Sequence, residues 1–169
     1  NVDSKEFNVQ GIGRATSITG PATSVFNVQV SANVESECQF ITDDNFHDLL
    51  ELSLLADPVN GGSVPIFGLM ADWYVSRVTN YSSAFKDKTT FNGDISEWDV
   101  SGAIDMSRMF EFAQSFNGDI SAWDVSNVTD MSSMFLEANV FDGSITYWDP
   151  SSVVDMSRMF QRAYIFNQP

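Results

Sequence analysis

The apolar positions from residue 70 to the end of the chain recur with a fixed period. Tryptophans mark that period most clearly, at Trp73, Trp98, Trp123 and Trp148. Other apolar side chains keep constant distances from these tryptophans, among them Phe91, Phe116, Phe141 and Phe166, and Met106, Met131 and Met156. Because one such unit cannot bury its apolar face alone, a period in this range predicts a stack of repeated units.

Within one unit, the polar and apolar positions predict a strand followed by a helix. Residues 120–125 read I-x-x-W-x-V, the apolar spacing of a short leucine-rich-repeat strand. Residues 131–138 read M-x-x-M-F-x-x-A, which is one face of a helix, and Asp130 before them is a suitable N-cap. Asn80, Asp105 and Asp155 hold the same place in the other units. We therefore predict an α/β repeat, a leucine-rich-repeat-like right-handed solenoid of about four strand-helix coils.

Three segments of different character make up the predicted domain organisation. The first, residues 1–40, contains FNVQ twice and is expected to be an extended or β arm, or the end of another domain. Residues 41–69 hold an amphipathic helix, capped by Asp43 or Asp44, and a linker, and we expect this helix to cap the stack. Residues 70–169 form the solenoid. With no capping helix after its last coil, we expect further coils beyond the chain or a partner on that face.

The repeat also resembles a known family. The pattern W-D-V-S-x-V-T-D-M-S-x-M-F-x-x-A-x-x-F-N-x-D-I-S, which fits best from Trp123 to Ser144, is similar to the 25-residue repeat of mycoplasma surface lipoproteins. Similar repeats occur in BspA-like leucine-rich-repeat surface proteins and in marine algal proteins. This chain departs from the pattern at Tyr74, Ser144 and Pro150. The resemblance implies a surface or adhesion-type binding scaffold.

Composition and charge argue against several classes of partner. The 169 residues carry 23 acidic and 8 basic side chains, for a net charge of −15, with no basic stripe. This composition argues against nucleic-acid binding and against docking on anionic lipid. No apolar run is long enough for a membrane helix. The single cysteine, Cys38, is expected to be a buried, inert thiol, and Asn1 indicates a processed product or a fragment.

Candidate chemistry is sparse, so the surface carries the functional hypotheses. There is no phosphate-binding loop and no Cys/His cluster, and His47 is the only histidine, so we expect no enzyme and no resident cofactor. Side chains beside the predicted strands should face a concave, ligand-binding side: Tyr74, Glu97, Asp99, Ser101, Asp124, Ser126, Tyr147 and Asp149. Glycosylation sequons occur at Asn80 and Asn127.

The aspartates Asp99, Asp124 and Asp149 should form a ladder along this side. Each carboxylate either bonds nearby backbone and serine hydroxyls, or the ladder binds Ca²⁺ or a cationic ligand.

The leading functional prediction is a non-catalytic, protein- or glycan-binding module of a cell-surface or secreted protein. The alternative is a structural or accessory subunit of a filament or an organelle-lumen complex, docked through its arm and its uncapped last coil. A protein partner or further repeats would cover that open end. A weaker third hypothesis is ice binding through the hydroxyl ladder of Ser96, Ser121 and Thr146.

Overall fold

The computed structural model describes residues 40–168, and regular elements are few in it. Helix α1 spans Phe46–Ala56, and a single 3₁₀ turn spans Met70–Asp72. The rest of the described chain consists of turns, extended segments and isolated β-bridges. The predicted arm of residues 1–40 and the thiol of Cys38 lie outside the described residues, apart from Phe40, whose ring lies 3.4 Å from the guanidinium carbon of Arg77.

The repeat units stack in register as four coils, which we define as residues 70–94, 95–119, 120–144 and 145–168. Backbone amides of alternate residues in one coil donate to carbonyls of the next coil. The first interface has Tyr81 donating to Asp105 and Phe85 donating to Met109, both at 2.8 Å. The same row recurs at the next two interfaces, with donors at positions 106, 108, 110 and 112, and at positions 131, 133, 135 and 137. Hydrogen bonds between coils therefore replace those that a helix or sheet would form.

The predicted strand-helix unit is wrong. Residues 131–138 form overlapping turns, with Met134 donating to the carbonyl of Met131 at 3.2 Å and Ala138 to that of Phe135 at 3.1 Å. Residues 120–125 form a turn as well, and residues 40–168 contain no sheet. The right-handed leucine-rich-repeat-like solenoid of strands and helices is therefore not the fold. Asp130 accepts from the amide of Ser132 at 2.8 Å and begins a row of turns rather than a helix.

Left-handed residues explain why the turn row does not become a helix. Two non-glycine residues per coil have φ between 56° and 63°: Ser83, Asp87, Arg108, Phe112, Ser133, Glu137, Arg158 and Arg162. Each such residue costs roughly 1–2 kcal/mol relative to the right-handed region. The left-handed positions turn the amides of alternate residues along the stack, where the carbonyls of the next coil accept them. These hydrogen bonds offset the local strain.

Two columns of phenylalanine rings form the centre of the stack. Phe85, Phe110 and Phe135 lie over one another at 5.3 and 5.5 Å, nearly parallel. A second column, which includes Phe116 and Phe141, has a spacing of 5.9 Å and packs against the first at 4.0 Å. All five rings are fully buried. The apolar period seen in the sequence therefore corresponds to ring-on-ring packing between coils.

The tryptophans join neighbouring coils by hydrogen bonds from their indoles. The Nε1 atom of Trp98 donates to the carbonyl of Met70 at 2.9 Å, and that of Trp123 donates to the carbonyl of Ile95 at 3.1 Å. Trp148 repeats the arrangement one coil later. Each buried indole thus satisfies its polar group on the preceding coil. In the first coil, the buried Nε1 of Trp73 has no acceptor among residues 40–168.

Helix α1 lies at the start of the stack, inside the segment predicted to be helical. Its Phe46 ring contacts the rings of Tyr81 at 5.1 Å and Trp98 at 5.8 Å, edge to face. The predicted cap residues are wrong, because Asn45 holds the N-cap position and makes no capping bond with its side chain. The division into capping helix, linker and solenoid remains a prediction.

Asp43 has a different role from the one predicted. In the stack, the carbonyl of Thr79 accepts from the amides of Ile104 and Asp105, at 2.8 and 3.2 Å, and later coils repeat this pattern. Within residues 40–168, no earlier coil accepts from the amides of Thr79 and Asn80 in the same way. The Oδ1 atom of Asp43 accepts both, at 2.7 and 2.9 Å. The carboxylate therefore takes the place of the carbonyl of a preceding coil.

Candidate binding site

A cavity of about 380 Å³ lies on the outer surface between the first two coils. Residues of both coils line it: Ala71, Asp72, Trp73, Tyr74, Ser76, Asp94, Glu97 and Asp99. Register explains the grouping, because Asp72 and Tyr74 of the first coil stand one repeat period before Glu97 and Asp99 of the second. Four carboxylates and one exposed phenol thus surround a single cavity without a basic residue in its lining.

Short turns fix the two aspartates at the edge of this site. Asp94 accepts from the amide of Ser96 at 3.0 Å and from its hydroxyl at 2.7 Å. Asp99 accepts from the amide and hydroxyl of Ser101 at 3.1 and 2.6 Å. An aspartate two residues before a serine commonly closes this kind of turn. Because each carboxylate uses one oxygen, Oδ1, for both of these bonds, the geometry leaves the other oxygen available to a ligand.

The aromatic side chains of the site have contrasting exposure. Trp73 is 4% exposed and stacks on Trp98, with ring centroids 6.3 Å apart and planes within 5°. Its neighbour Tyr74 is 89% exposed. An exposed phenol beside carboxylates provides a flat apolar surface with a polar tip, which is the composition typical of recognition surfaces.

The site is negatively charged at neutral pH. Hydrogen bonds from the backbone and hydroxyl of Ser96 lower the pKa of Asp94, although the charge of Asp119 in the next coil opposes the shift. Backbone and hydroxyl hydrogen bonds from Ser121 likewise lower the pKa of Asp119. Both carboxylates therefore stay ionised, and a nearby cation would reduce the repulsion between them.

The cavity is lined by only some of the residues that the sequence grouped on one concave side. Tyr74, Glu97 and Asp99 line the cavity, and Ser101 supports Asp99. The other predicted residues, Asp124, Ser126, Tyr147 and Asp149, lie on later coils and do not line it. Since residues 40–168 contain no sheet, the concave sheet face on which the prediction rested does not exist there.

The sequence prediction omitted two of the lining carboxylates. Asp72 was left out although it stands one repeat period before Glu97, so the register alone would have pointed to it. Asp94 recurs as Asp119 in the next coil but lies before the segment that was read as a strand. For Asp72, the signal was therefore the repeat period. For Asp94, it was the same period extended to a residue outside the predicted strand.

The aspartate ladder makes local hydrogen bonds. Asp99 accepts from the amide of Ser101 at 3.1 Å. Asp124 accepts from the amide of Ser126, and Asp149 accepts from the amide of Ser151, both at 3.0 Å. Within residues 40–168, no three His, Cys, Asp or Glu side chains form a group that could hold a metal ion. The Ca²⁺ hypothesis for this ladder gains no support from these contacts.

The two glycosylation candidates lie on the surface in different environments. Asn80 is exposed, and its side-chain oxygen accepts from the amide of Ser82 at 2.9 Å. Asn127 is also exposed, but its Nδ2 donates to the carbonyl of Ser101 in the preceding coil at 2.9 Å. A glycan on Asn127 would have to replace this contact between coils, so Asn80 is the less constrained acceptor.

No helix in the described part of the chain has the length and apolar character needed to cross a membrane.

Comparison with known proteins gives one family. The model of a family described as "Mycoplasma protein of unknown function, DUF285" matches residues 64–169, which include all four coils. No curated protein and no solved structure matches the chain.

Proposed function

We propose that this chain, which belongs to that mycoplasma protein family, is a non-catalytic binding module for a cationic segment of another protein. The observation that carries the proposal is the cavity between the first two coils, where Asp72, Asp94, Glu97 and Asp99 surround the exposed ring of Tyr74. A lysine or arginine side chain would pair with the carboxylates and stack its stem or guanidinium on the phenol.

The charge of the whole chain supports this choice of ligand. A net charge of −15 favours encounter with basic partners and disfavours acidic ones. A protein ligand is preferred over a neutral glycan because the lining is dominated by carboxylates. We further propose that the module works at a cell surface or in a secreted protein, with an organelle lumen as the alternative.

Titration of the chain with short peptides of equal length tests the proposed ligand. A lysine- and arginine-rich peptide should bind, neutral and acidic peptides should not, and added salt should weaken binding. Neutralising two site carboxylates with Glu97→Gln and Asp99→Asn should lower the affinity about tenfold. The matched control is the double variant Asp44→Asn and Asp87→Asn, which removes two exposed charges outside the cavity. Equal weakening by the control and the site variant would refute the assignment.

A structural subunit of a larger assembly is the second candidate. Large apolar side chains on the surface favour it, since Ile66 is 61% exposed and Leu69 is 53% exposed. Such side chains mark interaction surfaces when they are contiguous. The mass of the native particle from its source tests this role: a chain found only as a free monomer would exclude it.

A further inference from the structure

A tight loop of apolar residues precedes the 3₁₀ turn of the first coil. Residues 64–69, which we call the apolar loop, read V-P-I-F-G-L and contain no charged side chain. The amide of Val64 donates to the carbonyl of Gly68 at 2.8 Å, and the amide of Gly68 donates back to Val64 at 2.9 Å. Ile66 and Leu69 are 61% and 53% exposed. The loop therefore presents two large apolar side chains to water on a backbone that is fixed at its base.

The backbone of Ile66 is strained without a compensating hydrogen bond. Its φ is 77°, in the left-handed region, where a β-branched side chain is an outlier. At the interfaces between coils, left-handed residues such as Ser83 and Arg108 donate their amides to the next coil. The amide of Ile66 donates to no backbone carbonyl within residues 40–168. Asparagine or glycine would adopt this φ at lower cost, so the fold alone does not explain an isoleucine here, and uncompensated strain is typical of functional sites.

The apolar loop ends at the edge of the acidic cavity. The carbonyl of Leu69 accepts from the amide of Asp72 at 3.0 Å, and Asp72 and Ala71 both line the cavity. Leu69 stands two residues before Ala71, so their Cα atoms are at most about 7 Å apart, and the chain from Ile66 to Leu69 spans at most about 11 Å. An extended peptide covers such distances with about two to four residues. One short segment of a partner therefore reaches both surfaces.

The charge around the apolar loop restricts what can cover it. A net charge of −15 disfavours both an anionic lipid surface and a second copy of this chain. A purely apolar segment would take the carboxylates of the cavity out of water without pairing them. A segment that carries a basic and an apolar side chain close together satisfies both surfaces at once.

We propose that the apolar loop is a second subsite of the cationic-ligand site. Its ligand is a protein segment in which a lysine or arginine stands about two to four residues from a large apolar side chain. The basic side chain pairs with the carboxylates of the cavity, and the apolar side chain packs on Ile66 and Leu69. This inference rests on the proposed function, because it names the sequence class of the same ligand. The same chemistry applies whether the segment belongs to a free ligand or to a neighbouring subunit.

Calorimetric titration of the intact chain with three synthetic peptides of equal length tests the proposal. The first peptide carries adjacent arginines and, about three residues later, a leucine. The second replaces the leucine with serine, and the third keeps the leucine but replaces the arginines with serines. The first should bind at least about fivefold more tightly than the second, because burial of part of the leucine side chain adds to the affinity. The third should show no binding.

A matched pair of variants assigns the effect to the apolar loop. Ile66→Asn removes the exposed apolar side chain and introduces a residue that tolerates positive φ. It should reduce the preference for the leucine peptide to less than about twofold, and it should leave the thermal midpoint unchanged or raise it. Ile104→Asn makes the same change at a position of the second coil that is 45% exposed and does not line the cavity. This control should keep the full preference.

The outcomes distinguish the apolar subsite from the cationic site on which it depends. Equal binding of the first two peptides would overturn the apolar subsite and retain the cationic site, whereas no binding of either would overturn both. A preference that persists in Ile66→Asn, or that Ile104→Asn also removes, would place the leucine elsewhere and overturn the proposal. Binding of the third peptide as tightly as the first would overturn the joint site, because the carboxylates would then contribute nothing.

Discussion

The same substitution at the same repeat position should have different costs in the interior and at the end of the stack. Phe135 is fully buried, with rings above and below it at 5.5 Å, Phe110 and Phe160, and Phe141 beside it at 4.0 Å. Phe160 keeps Phe135 and Phe166 but has no ring on its other side within residues 40–168. Truncation of each to alanine therefore measures how much of the packing energy comes from the following coil.

The expected costs follow from burial. Removal of a fully buried phenylalanine costs about 3–5 kcal/mol, since the cavity term adds to the lost transfer energy. At Phe160 the removed ring is already partly in water and only part of a cavity forms, so we expect about 2 kcal/mol. Phe135→Ala should therefore be more destabilising than Phe160→Ala by about 2 kcal/mol.

Equilibrium urea unfolding of the two variants checks this difference. With a slope of about 2 kcal/mol per molar urea, the midpoints should differ by about 1 M. The slopes must agree, because a stacked protein that unfolds coil by coil would not give comparable free energies. If Phe135→Ala does not fold, the pair Phe135→Leu and Phe160→Leu makes the same comparison at lower cost. Equal midpoint shifts would refute the reasoning that the cost follows the burial of each ring.

Further expectations concern the start of the stack, the indole bonds and the left-handed residues. Asp43→Ala should lower the free energy of unfolding by about 1 kcal/mol. Asp43→Asn should lower it by less, because the side-chain oxygen of asparagine can still accept these hydrogen bonds. Burial raises the pKa of Asp43, but the hydrogen bonds it accepts outweigh this and hold the pKa below 3.8. The stabilisation by Asp43 is therefore complete above pH 3.8 and is lost as the pH falls through the lower pKa of the folded state. Urea unfolding at a series of pH values should show this acid dependence in the parent chain and lack it in Asp43→Asn. Trp123→Phe should cost at least about 1 kcal/mol more than Trp73→Phe in urea unfolding, since only the first breaks an indole bond to a carbonyl. In thermal unfolding, the Ser133→Gly variant should be more stable than the Ser132→Gly variant by up to about 1 kcal/mol, because only Ser133 has positive φ.

The sequence identified the buried side chains of the repeat but not the path of its backbone. Met131, Met134, Phe135 and Ala138 were predicted to share one buried face, and all four are buried. A helix and a row of overlapping turns both bring these spacings to one side, so periodicity alone does not distinguish them. The discriminating feature is the left-handed residue, and its usual signal was absent: Ser133 and its counterparts are never glycine. The hydrogen bonds that stabilise this conformation come from the neighbouring coil, which is distant in the sequence.

The candidate site was predictable to the extent that it follows the period. Glu97 and Asp99 were found because their neighbours alternate with apolar residues, and Tyr74 because it stands one period earlier. Asp94 was missed because it falls outside the presumed strand, and Asp72 was missed although it lies in the presumed strand one period before Glu97; both line the same cavity. Burial of Trp73 and exposure of Tyr74 depend on the actual turn at Met70–Asp72, which no pattern in the sequence specified.

The hydrogen-bond rows between the coils have a direction, and this direction decides what can replace a neighbouring coil. Each interior coil donates its turn-row amides forward and accepts with its carbonyls from behind. At the first coil, the two amides of Thr79 and Asn80 that would point backward donate to a single carboxylate oxygen, that of Asp43, and the ring of Phe46 in α1 packs against Tyr81 and Trp98. A forward row at each interface between coils consists of four amides spaced over seven residues, and no single side chain spans such a row. A side chain therefore suffices to replace the two backward contacts, whereas the forward row is satisfied at each described interface by the backbone of a neighbouring coil.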